Sequence, residues 1–307
     1  MLRSALILIL FFGVITATAQ VASMPQVIVL GVVQDGGYPH PGCFKKCCQQ
    51  APLNDSARQF VVSLAVADPI SHKWWLFEAT PDMKYQLAYF RKLTAGAYNY
   101  LPDGIFITHA HIGHYTGLMF LGREVMNTKN EPVYCLPRMK SFLEKNGPWS
   151  QLVSLQNIAL QAMAADSMVQ LSPSVSVKPV VVPHRDEFSE TAGFHIVAGG
   201  KTYLFIPDIN KWQKWDRSIQ KMVDSVDIAL VDGTFDDAGE LSAKSMAEVP
   251  HPLISETMRL FENADARTKA KIHFIHFNHT NPVLWDTQYQ NRIRASGFNI
   301  ATQGASL

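Results

Sequence analysis

Four apolar runs, separated by tens of residues, each lead into a side chain able to bind a metal ion. "GIFIT" (Gly104–Thr108) runs into His109, "VKPVVVPH" ends on His184, "TYLFIPD" on Asp208 and "KIHFIH" on His276. Runs rich in Val, Ile and Phe and punctuated by Gly or Pro read as strands. In an α/β scaffold the strand ends are where functional side chains gather. A chain with this pattern is therefore constrained to folds that bring several strand ends to one place.

The remaining runs complete a coarse map. "QVIVLGVV" (Gln26–Val33), "QFVVSLAVA" (Gln59–Ala67) and "KWWLFEA" (Lys73–Ala79) read as strands. "TPDMKYQLAYFRKL" reads as a helix with Thr80 as cap, Pro81 in the first turn and Asp82 against the helix dipole. "HYTGLMFLGREVM" has helical spacing, "PVYCL" is strand and "RMKSFLEKN" helix; residues 158–206 are β-rich. After them come the helix "NKWQKWDRSIQKMV", the strand "DIALVDGT", the helix "PLISETMRLFENA" and the last helix "NPVLWDTQYQNRIRAS". Both halves run from strands into alternating helices and strands. Strands packed on strands with helices outside give a four-layer αββα sandwich.

The densest signal is "FITHAHIGHYTGL", with His109, His111 and His114 within six positions. His109 and His111, two apart on an extended segment, point to one side and can pinch one ion. His114, at the entry to the following helix, suits a neighbouring ion. Taken singly, a histidine at a strand end is more often a hydrogen-bonded structural residue, and Asp208 could cap a helix beginning near Lys211. Three coincidences after a buried strand point to metal. His72, His195 and His273 are read as structural or surface residues.

The first residues, "MLRSALILILFFGVITATAQ", carry one Arg, an apolar run from Ala5 to Ile15, and Ala17-Thr18-Ala19. That is the layout of a secretory signal peptide cleaved near Ala19, and the run falls short of the ~20 residues a membrane span needs. We therefore expect a signal peptide over 1–19, one domain over 20–307, a periplasmic or secreted location, and no membrane attachment after cleavage. The formal net charge of +1 gives no electrostatic case for nucleic acid, which leaves a small molecule as the expected substrate.

Three of the four cysteines crowd into "GCFKKCC". Cys43, Cys47 and Cys48, with His40 as a fourth ligand, have the composition of a thiolate zinc site. A disulfide using Cys43, or free thiols, are the alternatives; vicinal Cys47 and Cys48 would pair only with strain. Cys135 reads as a buried small hydrophobe.

"THAHIGH", "VPH", "IPD" and "IHFNH", in that order, resemble the metallo-β-lactamase superfamily of αββα hydrolases, from about Gln26 to the C-terminus. The resemblance implies a first metal on His109, His111 and His184, a second on His114 and His276, and Asp208 bridging the two. "GVVQDGGYPHPGCFKKCC", "TGLMFLGRE", "VDGTFDD", "VPHPLI" and "HFNHTNPVLWD" are similar, within it, to the pyrroloquinoline quinone biosynthesis protein B group and its phosphodiesterase cousins. That group's early Cys-rich loop carries a structural zinc, which the resemblance implies here too. Its members tend to lack the first two histidines, which this chain keeps.

The superfamily pattern H-x-H-x-D-H has an aspartate where this chain has Gly113. Loss of that carboxylate weakens a second metal and removes a proton acceptor, leaving position 113 open to water or a substrate group. Asp208 and Asp232 are then the candidate catalytic carboxylates, and Glu187, Asp186 or Asp232 could take over as proton acceptor from the missing aspartate. Three functions follow. Zinc, as one or two ions, would lower the pKa of a bound water to ~7 and so hydrolyse an ester, amide or phosphodiester. Iron on His114, His276 and Asp208, a two-histidine, one-carboxylate face, would serve an oxygenase. The third is a binding protein stabilised by metal. Asp35 could orient a metal-bound histidine or merely shape the turn at Gly36-Gly37. His251 and His279 are cleft or structural residues, Asn278 and Asn281 caps, and Tyr115 and Trp285 pocket or core aromatics.

Overall fold

Two mixed sheets, facing each other, carry almost every apolar run identified above. The computed structural model describes residues 24–49, 58–237, 239–242 and 248–307; the segment read as a signal peptide lies outside them. The first sheet has the order β1 (Gln26–Gly31), β2 (Ser63–Asp68), β3 (Lys73–Phe77), β4 (Ile105–Phe106), β5 (Glu131–Cys135), β6 (Ile158–Ala162). The second comprises β7 (Val169–Ser172), β8 (Val175–Val182), β9 (Thr191–Ala198), β10 (Lys201–Ile206), β11 (Ile228–Asp232), β12 (Ile272–Ile275) and β13 (Asn299–Ile300), also side by side in chain order. In each sheet the first strands pair antiparallel, and the last four pair parallel through crossovers. The shared plan of the two halves is thus a property of both sheets.

Burial explains why these strands read as continuous apolar runs rather than alternating ones: both faces are covered. Along β3, Trp75 and Phe77 face the second sheet, whereas Trp74 and Leu76 face the helices. Phe77 stacks on Phe106 at 4.7 Å and meets Phe194 edge-on at 5.3 Å, so aromatic rings fill the space between the sheets. On the outer face the helix Met83–Leu93 buries Met83, Leu87 and Phe90, one stripe at helical spacing, and Phe90 stacks on Trp74 at 3.9 Å. On the second sheet's outer face Ile219, Val223, Ile254 and Ile293 are buried from three further helices. The layers are helix, sheet, sheet, helix.

Local departures have local causes. The regular helix begins at Met83, and the Thr80 hydroxyl caps the turn before it, accepting from the Asp82 amide and donating to Gln86. The helix expected after His114 breaks into a turn at Ile112–Tyr115 and a 3-10 stretch at Thr116–Leu121. The Gly117 amide donates out of the segment to the Ala79 carbonyl, and a Cβ on Gly117 would stand 2.2 Å from the Thr80 carbonyl oxygen. The helix expected over "NKWQKWDRSIQKMV" is interrupted before Ser218, since Trp212 and Trp215 turn their indole N–H groups inward to Thr257 and to the Val181 carbonyl.

Candidate metal centre

β8, β10, β11 and β12 run in one direction, so their C-terminal ends open on one edge of the sandwich. His184 and Asp208 sit two residues past β8 and β10, Asp232 is the last residue of β11, and His276 directly follows β12. Across from them the loop after β4 delivers His109, His111 and His114.

These side chains form one continuous cluster. His109, His111, His184 and Asp208 offer four ligand atoms within 4.8 Å of one another. His109 Nε2 lies 2.8 Å from His111 Nδ1, His184 Nε2 3.2 Å from that same Nδ1 and 3.2 Å from Asp208 Oδ2, and His109 Nε2 3.5 Å from Asp208 Oδ2. His114 Nε2 stands 3.7 Å from Asp208 Oδ2. His276 joins Asp208, Asp232 and His251 in a second group and Asp35 and His114 in a third.

Four of the imidazoles are oriented from behind, and His184, whose Nδ1 is buried without a partner, is the exception. Thr108 Oγ1 is 2.8 Å from His109 Nδ1, Glu187 Oε2 3.0 Å from His111 Nε2, Glu78 Oε1 3.2 Å from His114 Nδ1, and Thr234 Oγ1 2.9 Å from His276 Nδ1. Such outer partners fix ring orientation and tautomer at metal sites. On the inner side His114 Nε2, His276 Nε2 and Asp208 Oδ1 are buried without a hydrogen-bond partner. Burying unpaired polar atoms costs free energy that an ion would offset, and the nitrogen and carboxylate donors suit zinc or iron. The residues fit a metal.

The electrostatics agree with that fit. Burial, reinforced for His109 by the charge of His114, holds His109, His111 and His276 below the ordinary histidine pKa, as ligands that must be neutral require. Burial works against the Asp208 carboxylate, but His251, His184 and the hydrogen bond from His109 outweigh it and hold the group well below the usual range. His114 and His251 are both pushed up to about 9 in spite of burial, by Glu78 in the first case and by Asp232 and Asp208 in the second.

Of the three carboxylates considered as proton acceptors, none faces the cluster unengaged. Asp232 Oδ1 accepts from the Thr234 amide and hydroxyl, and its Oδ2 from the Ile209 amide and His251. Its place is behind His251, as a positioning group. Asp186 accepts from Thr191. Glu187 alone touches a candidate ligand, through His111.

His251 is the residue the strand-end pattern missed. Its Nδ1 lies 2.8 Å from Asp232 Oδ2 and 3.2 Å from Asp208 Oδ1, the latter without hydrogen-bond geometry. It arrives on a loop, in "VPHPLI", so no strand end marks it. Position 113, expected to be open, is filled: a Cβ on Gly113 would meet Asp35 Oδ1 at 2.1 Å.

The cysteine-rich loop forms a separate cluster in which Cys43, Cys47 and Cys48 converge with His279, not with His40. His40 Nδ1 turns to the Pro41 carbonyl at 2.9 Å, and its ring packs on His279 at 4.2 Å and against Gly36. His279 Nδ1 is buried and unpartnered, and burial holds its pKa down to about 4. The thiols are free, with Cys43 and Cys47 sulfurs 3.7 Å apart. Cys135 is fully buried, its thiol pushed up to about 12 by desolvation.

Residues 73–274 match the family described as Beta-lactamase superfamily domain. The chain belongs to this superfamily. Within it the chain is similar to Coenzyme PQQ synthesis protein B of Methylorubrum extorquens, 24% identical over 305 residues that cover 92% of this chain and 99% of the relative. The corresponding protein of Klebsiella pneumoniae is 25% identical over 311 residues, covering 91% and 96%. Among solved structures, zinc-bound PqqB from Methylobacterium extorquens superposes with a TM-score of 0.73 at 22% identity, covering 92% of this chain and 99% of that one. A diphosphatase of the PhnP family gives 0.63 at 19%, covering 93% and 97%. This superfamily member therefore has the metallo-β-lactamase fold and a relation to the PQQ synthesis protein B group, as its motifs implied.

Proposed function

We propose that this protein is a metal-dependent hydrolase acting on an ester, amide or phosphodiester of a small molecule, with zinc held by His109, His111, His184 and Asp208. The observation that carries this reading is the first cluster: three imidazoles and a carboxylate converge with four ligand atoms within 4.8 Å of one another, and the rings of His109 and His111 are oriented from behind. Zinc bound there would supply Lewis acidity and acidify a water.

The chain's own residues do the rest. Thr108 and Glu187 hold His109 and His111 in the tautomers that present Nε2 and Nδ1 inward. Asp208 lies between the first cluster and His114, where its ionised carboxylate compensates cationic charge on either side. Asp232 holds His251 against the other oxygen of Asp208, and that imidazole is the candidate to give a proton to a leaving group. The N-terminal pattern, with its basic start, apolar run and Ala17-Thr18-Ala19, supports export to a periplasmic or extracellular space.

A second reading is iron-dependent oxidation at His114, His276 and Asp208, whose two imidazoles and one carboxylate have the donor set of an iron(II) face. It would suit a relation to a protein named for coenzyme synthesis. Metal content of protein purified without added metal separates the two. Zinc, with turnover of phosphodiester, ester or amide probes that His109→Ala abolishes, supports hydrolysis. Iron, or probe panels inert with zinc fully loaded, overturns it.

A further inference from the structure

Gly113 is not an empty position. An ideal Cβ there would stand 2.1 Å from Asp35 Oδ1 and 2.7 Å from Asp35 Cα, so the loop after β1 occupies the space that a side chain at 113 would need. That loop is tied to the segment bearing His276: the Gln34 amide donates to the Phe277 carbonyl and the Phe277 amide to the Val32 carbonyl. Asp35 is thereby carried to the two histidines with its backbone in the left-handed region, φ 25°.

His114 and His276 are wholly buried, and each has its Nδ1 engaged, by Glu78 and by Thr234. Their Nε2 atoms have no hydrogen-bond partner and converge with the Asp35 carboxylate within 4.8 Å. Asp35 Oδ1 stands 3.8 Å from His114 Nε2, too far for a hydrogen bond. Donors that each lie ~2.1 Å from a shared zinc are themselves roughly 3–4 Å apart. The Asp35 side chain is 46% exposed, which leaves one side of such a site open to solvent.

We propose that Asp35 replaces the carboxylate missing at position 113 and, with His114 and His276, binds a second divalent cation beside the first cluster. The proposal rests on the metal-centre reading above. It makes Gly113 and Asp35 a matched pair: the glycine is small so that the aspartate can enter from the opposite loop. The second ion keeps a negatively charged ligand, and the charge comes from a side chain within reach of substrate.

The test is zinc chloride titration of the chelator-stripped full-length chain, followed by native mass spectrometry and calorimetry, in wild type and Asp35→Asn. Asparagine keeps the shape and tolerates the left-handed backbone, and melting of the metal-free forms checks that folding is unchanged. The expected result is one zinc fewer per chain in Asp35→Asn, or a tenfold or greater weakening of one binding step with the others unmoved. Equal stoichiometry and affinities in the two proteins overturn the proposal, as does a wild-type chain whose only zinc near the histidines is lost in His109→Ala. A His109→Ala chain that loses no zinc instead refutes the first cluster, a separable failure.

Discussion

Glu78 and His114 form an ion pair from which solvent is excluded on both sides: Oε1 and Nδ1 are 3.2 Å apart and neither side chain has exposed surface. Glu78 adopts φ 74° to make it, a left-handed conformation that a glutamate takes only where the surroundings compel it. The pair fixes which nitrogen of His114 faces the cluster. In protein stripped of metal, the His114 pKa lies at about 9 rather than 6.5. A histidine raised in the folded state contributes stability that is complete below the unfolded pKa and is lost as pH rises through the folded one. The urea midpoint of the stripped protein should therefore fall between about pH 6.5 and 9. Glu78→Gln should lower the unfolding free energy at pH 6.5 by roughly 3–5 kcal/mol and flatten the pH slope, leaving the part due to His251 and Asp232. An unchanged slope in Glu78→Gln would show that the pair does not set this titration.

His279, and not His40, completes the cysteine cluster. Zinc bound there would join the loop after β1 to the loop after β12 and add to folding stability. His279→Ala should weaken that zinc step by about tenfold or more and lower the melting temperature of the zinc-loaded protein. His40→Ala should leave zinc affinity within about twofold, since its ring only packs on His279. Zinc titration with a chromophoric chelator reads both, and a larger loss in His40→Ala would reverse the assignment.

Glu131 is a largely buried carboxylate. Desolvation, helped by Asp103, pushes its pKa up to about 7, and its Oε1 is buried without a partner. The native state thus holds a proton that the unfolded state releases, so stability falls as pH rises from about 4.5 to about 7. Glu131→Gln removes the charge. It should stabilise the protein by roughly 1–3 kcal/mol at pH 8 and by little at pH 5. Equal gains at both values would show that the carboxylate is not the cause.

Gly113 tolerates no side chain while the Asp35 loop stands where it does. Gly113→Ala sets a Cβ 2.7 Å from a backbone atom, which rotamer changes cannot relieve. The expected cost is roughly 1–3 kcal/mol, with weaker metal binding at His114. Asp35→Ala should not rescue stability, because the backbone contact persists. Chemical denaturation of Gly113→Ala, of Asp35→Ala and of the two substitutions combined decides the point.

The amino-acid sequence by itself determined the sandwich and the first cluster. Apolar runs covered on both faces announce strands, and a polar residue after each such run has to appear at a strand end, so His109, His184, Asp208 and His276 were legible from local pattern alone. Period and punctuation carry that information, and both are written along the chain. What only the tertiary structure decided is which loops meet. His251 reaches Asp208 from a loop without periodicity, His279 displaces His40 because β12 ends beside the cysteine loop, and Asp35 fills the space above Gly113 from 78 positions away in the chain. Loop conformation depends on long-range packing and backbone hydrogen bonds, not on the order of neighbouring residues. For that reason the residues of the first cluster, His111 among them by its spacing from His109, could be proposed as ligands in advance, while the contact between Asp35 and position 113 could not.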